Sequence, residues 1–145
     1  AITTHTTRWG TFALEQIAML EDFGADLSRV IIGHLGDRIG VKPLLPIAER
    51  GVYLEIDNIG YLDYQPEWVR ADNVAALIAE GYVERVLLSQ DVCLLSHLKY
   101  QNGPGYGYLQ ETFLPLLRER GVSDEDIQTM LVDNPARVLR REIVT

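Results

Sequence analysis

Arg29-Val30-Ile31-Ile32-Gly33-His34-Leu35-Gly36-Asp37 decides how the rest of this 145-residue chain is read. Three β-branched residues in a row mark a strand buried on both faces, as strands of a parallel sheet are. The run meets Gly33 and then presents His34 at its carboxyl end, with Asp37 one tight turn further on. A rigid buried strand ending in an ionisable residue is a common way to build an α/β active site. The pattern recurs along the chain. Ile2-Thr3-Thr4 ends in His5, Val52-Tyr53-Leu54-Glu55-Ile56 in Asp57-Asn58, and Arg85-Val86-Leu87-Leu88-Ser89 in Gln90-Asp91. His5, His34, Asp57 and Asp91 lie 29, 23 and 34 residues apart, about one βα unit each.

Between the strands the spacing predicts helices over residues 12–23, 41–49, 68–80 and 109–120, with a last helix opening at Ser123-Asp124-Glu125-Asp126 as a capped start. Pro43 and Pro46 suit the first turn of the second helix better than its interior. Residues 91–108 form the longest irregular stretch, and loops of that length in compact domains tend to be functional. Its Gly103-Pro104-Gly105-Tyr106-Gly107-Tyr108 run lacks a following Lys-Ser/Thr and is no phosphate loop; Tyr100, Tyr106 and Tyr108 are there to line a pocket. Strands alternating with helices mean a parallel sheet with right-handed crossovers. Four such strands are either a small open sheet or half of an eight-stranded barrel, which takes about 250 residues.

Composition narrows the function. With 47% hydrophobic and 23% charged residues, the chain has the balance of a globular protein, and its length suits a single segment over residues 1–145. A net charge of −8 argues against nucleic acid or an anionic membrane as partner, since both need a basic patch. The lone Cys93 cannot form an intrachain disulfide, which suggests a reducing, cytoplasmic setting. We read Cys93 as a small packed residue and His97 as solvated. The chain opens on Ala1 with residues that look like a buried strand, so we expect it to be cut from something longer.

His5 and His34, at matching ends of neighbouring strands, suit a metal such as zinc, and each alone also reads as an ordinary hydrogen-bonded histidine. Asp91 adds a carboxylate that could ligate the metal or take a proton from bound water, or simply cap its loop. Asp37 reads as a helix cap or as a partner behind a ligand, and Asp57 with Asn58 as substrate contacts or a turn.

These residues give the chain its likeness to a known family. Thr3-Thr4-His5-Thr6, Val30-Ile31-Ile32-Gly33-His34-Leu35-Gly36-Asp37, Leu54-Glu55-Ile56-Asp57, Val86-Leu87-Leu88-Ser89-Gln90-Asp91 and Asp133-Asn134-Pro135-Ala136-Arg137 resemble, in order and spacing, the C-terminal half of the phosphotriesterase family of the amidohydrolase superfamily. The resemblance implies strands five to eight of a TIM (β/α)₈ barrel. It implies a binuclear divalent-metal centre, with zinc the expected metal, that activates hydroxide against a lactone, carboxylic ester or organophosphate triester. His5 and His34 would hold one metal and Asp91 the other; Asp91 and Asp37 would move the proton, and Asn58, Cys93 and Tyr100 would contact substrate. Asn58 stands where relatives carry His or Arg, and Asn can neither titrate nor carry charge. The family's His-x-His pair and its bridging carboxylated lysine have no counterpart, since Lys42 and Lys99 fall on a helix and a loop. The expected partner is therefore the missing N-terminal half of the barrel, or a second copy pairing along the free strand edges. Without it the segment is expected to be inactive, and the rival readings are a non-catalytic half-barrel assembly unit and an independent open-sheet binding domain.

Overall fold

The computed structural model describes residues 1–7 and 12–140. Four strands, β1 (Ile2–His5), β2 (Val30–Gly33), β3 (Tyr53–Ile56) and β4 (Val86–Leu88), form one sheet in the order β1-β2-β3-β4. Every pair is parallel, with Thr4 opposite Ile32, Ile32 opposite Leu54 and Leu54 opposite Val86. Helices α1 (Ala13–Asp22), α2 (Leu45–Ala48) and α3 (Glu67–Ala79) return the chain between strands. After β4 come α4 (Leu114–Glu119), α5 (Asp124–Gln128) and α6 (Asn134–Leu139). Neighbouring strands in sequence are neighbours in space, so the sheet runs in one direction as half of a barrel does. The part of the predicted first loop at residues 8–11 lies outside the described residues.

The period of two along each strand divides the sheet's faces. Val30, Ile32, Leu54, Ile56, Val86 and Leu88 face the helices and join Ile17, Leu44, Ile47, Val74, Leu77, Phe113 and Leu117 in one core. Ile31, Tyr53 and Leu87 point to the other face, where Val138 of α6 packs on them. That inner face is thus plugged from one end by the last helix and carries the chemical groups at the other.

Three expectations about local structure need correction. β1 was expected to be buried, but Ile2 is 42% exposed, because β1 has β2 on one side and forms the edge of the sheet. The second helix shrinks to one turn with Pro46 in its first positions, since proline lacks the N–H and its ring obstructs the turn behind it. The later helices contain wide turns that periodicity did not show, at Leu109–Phe113 and Thr129–Asp133. Each stands two residues before a proline, Pro115 or Pro135, and the wide turn relieves the clash with the carbonyl four residues back. The capped start at Ser123 is as expected: Ser123 Oγ accepts from Asp126 N, and Asp126 Oδ2 accepts from Ser123 N, each at 3.1 Å.

Gly33 ends β2 where no side chain fits. A Cβ there would stand 2.7 Å from the Thr4 carbonyl and 3.3 Å from Glu55 Oε2. We predict that Gly33→Ala forces β1 and β2 apart and costs about 1–3 kcal/mol in a urea unfolding titration; an unchanged midpoint would show that the strands yield freely.

Candidate active site at the strand ends

The carboxyl ends of the four strands bring His5, His34, Asp57 and Asp91 to one rim, as their spacing suggested. His5 Nδ1 and His34 Nε2 are 2.6 Å apart, with ring centroids separated by 4.7 Å. On its other side, His34 Nδ1 stands 2.9 Å from Asp57 Oδ2, a close ionic contact that is poorly aligned for a hydrogen bond. The same oxygen accepts the His34 backbone N–H at 2.9 Å. Asp57, with Asp91 and Glu55 behind it, pushes the His34 imidazole up from its ordinary value, against burial. A proton held on Nδ1 leaves Nε2 as the electron-pair donor toward the rim, the usual arrangement of a metal-binding histidine.

A cavity of about 340 Å³ is lined by His34, Asn58, Tyr64 and Asp91. Three of these residues, His34 (φ 62°), Asn58 (φ 57°) and Asp91 (φ 46°), occupy the left-handed region that non-glycine residues avoid. Each is held by a group from a neighbouring loop. Asp57 accepts from His34 N, Asp37 accepts from Asn58 Nδ2 at 3.0 Å, and the Tyr61 hydroxyl lies 3.1 Å from the Asp91 carbonyl. Strain of this kind survives where the surroundings over-determine it, and it gathers at functional sites.

Behind the cavity lies a group the sequence did not announce. Arg70, on the buried side of α3, has no exposed surface. Its Nε and Nη2 donate to Asp37 Oδ1 at 3.1 and 2.7 Å, and its remaining N–H groups reach the carbonyls of Tyr61 and Gln65. Glu67 Oε1 sits 3.4 Å from Nη1 and accepts the Gly60 N–H at 2.5 Å. One guanidinium thus fixes both ends of the loop between β3 and α3, together with Asp37. Burial pushes the Asp37 and Glu67 carboxyls up, with Arg70 pulling both the other way. Asp37, expected as a proton-path residue, is 1% exposed and fully engaged by Arg70 and Asn58.

A second cavity of about 420 Å³, lined by Tyr61, Leu62, Tyr64, His97 and Pro104 among others, shares Tyr64 with the first. His97 is not the solvated residue expected. Its Nδ1 lies 2.5 Å from the Tyr61 hydroxyl and accepts weakly from the backbone N–H groups of Cys93 and Leu94. Burial is the main cause that pushes the Tyr61 hydroxyl up to about 12. Cys93, expected to be packed, is exposed, and Tyr100 is 66% exposed. Neither lines the two cavities. Glu55, also missed, points to the inner face and accepts from Ser89 Oγ at 3.0 Å; the alternation along β3 was the signal that could have found it. Lys99 is spent on Glu111, with Nζ 2.9 and 2.7 Å from its two oxygens.

The donor set suits part of a metal shell. Two imidazole nitrogens face each other, and Asp91 shares a cavity with His34. Among the described residues, however, no three His, Cys, Asp or Glu side chains stand close enough together to hold an ion.

A parallel sheet with helical returns and its ionisable side chains gathered at the strands' carboxyl ends has the architecture of half a (β/α)₈ barrel. The chain belongs to the phosphotriesterase family, whose model matches residues 1–139. It is 41% identical over 136 residues to the phosphotriesterase homology protein of Escherichia coli, covering 94% of this chain and 46% of that one. The crystal structure of that protein with phosphate in its active site superposes with a TM-score of 0.91 at 40% identity, covering 96% of this chain and 48% of the other. A lactonase from Listeria monocytogenes gives a TM-score of 0.90 at 30% identity, over 98% and 45% of the two chains. The N-acetyltaurine hydrolase of Dictyostelium discoideum is 35% identical over 150 residues, 96% of this chain and 40% of that one. The chain therefore spans about half the length of the relatives it matches.

Two predictions test the buried network. Arg70→Met leaves Asp37 and Glu67 buried without their cation and should cost about 3–5 kcal/mol in chemical denaturation, with Arg70→Lys recovering only part because it cannot fork. A raised Glu67 means that the folded chain holds this proton more tightly than the unfolded one. Its contribution is then largest in acid and is lost as pH rises from the unfolded value through the folded one. Glu67→Gln should flatten that part of the stability–pH curve above about pH 4.3; an unchanged slope would remove Glu67 from the account.

Proposed function

We propose that this chain is one half of a metal-dependent hydrolase that activates water to cleave an ester bond, in a lactone, a carboxylic ester or an organophosphate triester. The observation that carries the reading is the cavity at which His34 and Asp91 meet, with His5 against His34. Relatives described as a lactonase and an aryldialkylphosphatase support ester cleavage, and one described as an N-acetyltaurine hydrolase supports only the wider class of hydrolysis. His5 and His34 would hold one divalent metal and Asp91 a second, each shell completed from the other half of the barrel, with zinc favoured by imidazole nitrogen. Such an ion would supply Lewis acidity there, lowering the pKa of water so that it can act as a nucleophile near neutral pH.

The chain's own residues have separable tasks in this reading. Asp57 keeps the His34 proton on Nδ1 and so orients Nε2. Asp91, at the cavity wall, accepts the proton released as water is activated. Asn58 contacts the substrate, Asp37 holds Asn58, and Tyr61 fixes the backbone of Asp91. The partner is the N-terminal half of the barrel, which would pair with the edge strands and supply the remaining ligands; the setting is cytoplasmic. No helix among the described residues is long and apolar enough to cross a membrane. The rival reading, a non-catalytic half-barrel assembly unit, draws on the lack of a three-ligand group among the described residues.

Metal content and hydrolysis of lactone, carboxylic ester and phosphotriester probes should be measured with and without an N-terminal half. Two metals and turnover in the combined sample alone are expected, and His34→Ala in that sample should abolish turnover with the fold retained. Asp57→Asn should lower metal affinity or activity by about 10–100-fold. Activity that survives His34→Ala would end the metal assignment, and no metal in either sample would leave the assembly-unit reading.

A further inference from the structure

Asn58 is held in one orientation by chemistry on the side away from substrate. Its Nδ2 donates to Asp37 Oδ2 at 3.0 Å, while Asp37 Oδ1 takes two N–H groups of the fully buried Arg70. A carboxylate paired in this way accepts hydrogen bonds and donates none. The amide of Asn58 therefore meets Asp37 through its NH₂ end, and Oδ1 lies on the opposite side of the amide. Oδ1 has no hydrogen-bond partner among the described residues, although Asn58 is only 4% exposed and lines the cavity of His34, Tyr64 and Asp91. The N–H of Tyr61, which donates to the Asn58 backbone carbonyl at 3.0 Å, fixes the main chain from which this side chain extends, and Asp37 holds the amide itself.

We propose that Asn58 Oδ1 is a fixed hydrogen-bond acceptor for substrate, so that the site selects carbonyl substrates carrying an O–H or N–H donor, a hydroxylated lactone or a secondary amide. The inference rests on the hydrolase reading and sharpens it. A bound ligand without a donor displaces solvent from this cavity-facing oxygen and leaves it unpaired, and such a loss discriminates more strongly than a missing apolar contact does. A histidine at this position could offer either a donor or an acceptor, depending on its protonation; Asn58, locked by Asp37 and Arg70, offers only the acceptor. Phosphotriesters, which carry no N–H or O–H of their own, are disfavoured on this ground.

The test is a pair of matched ligand titrations on the complete barrel containing these residues. A β-hydroxy-γ-butyrolactone is compared with the unsubstituted lactone, and N-ethylacetamide with its N-methylated tertiary analogue. Affinity is read from chemical shifts, including those of the Asn58 side-chain amide, and hydrolysis is followed in parallel. The donor-bearing member of at least one pair should bind about tenfold more tightly and move the Asn58 resonances. Which pair shows the preference identifies the donor as hydroxyl or amide. Asn58→Leu should bring the ratio close to one. Asp37→Asn should lower it too, because an amide at that position can donate as well as accept and releases the orientation. Equal affinities within both pairs, or a preference that persists in Asn58→Leu, would overturn the proposal. A binding preference without turnover would count against lactone and amide hydrolysis and leave this inference standing; turnover without preference would overturn this inference and leave the hydrolase reading standing.

Discussion

The contact between Arg70 and Asp37 organises the functional end of this half-barrel. Both side chains are completely buried, so neither charge is tolerable without the other. The guanidinium also collects the carbonyls of Tyr61 and Gln65 and stands beside Glu67, so a single side chain sets the path of the loop after β3. Through Asp37 it reaches Asn58, and through the position of Tyr61 it reaches Asp91. A lysine could supply the charge but not the fork of donors that makes these contacts at once.

Strain at the strand ends depends on that framework. His34, Asn58 and Asp91 all adopt a left-handed backbone, a conformation that costs each about 1–3 kcal/mol. Each is caught by a hydrogen bond from a different loop, which spreads the cost over the packed parts of the domain. The reward is convergence: three side chains from three strands turn toward one cavity instead of following their strands outward. Tyr61 carries the connection further, since its one hydroxyl proton lies between the Asp91 carbonyl and His97 Nδ1 and ties the two long loops together.

The inner face is divided between an apolar end and a polar rim. At the lower end, Val138 covers Ile31, Tyr53 and Leu87 and makes a small second core. Toward the rim the face turns polar, with Glu55 bonded to Ser89 and the two histidines bonded to each other. β1 remains an exposed parallel edge with Ile2 on the surface. Parallel edges invite a further strand, which suits a chain about half the length of its relatives.

The sequence by itself determined the four strands, their order and direction, and the residues at their carboxyl ends. β-branched runs, stop glycines and βα spacing are local signals that read directly as a parallel sheet. His5, His34, Asp57 and Asp91 were legible for the same reason: a residue ending a buried strand has one place to go. Only the tertiary structure could decide the roles behind them. Arg70 looks like a solvated helical arginine in sequence, and its burial appears only when α3 packs over the loops that precede it. His97 became a partner of Tyr61, and Cys93 and Tyr100 fell on the surface, because loop residues are placed by contacts rather than by period. The polarity of Asn58 came last. An amide has two chemically opposite ends, and which one faces the cavity was settled by a carboxylate 21 positions earlier in the chain and an arginine 12 positions later.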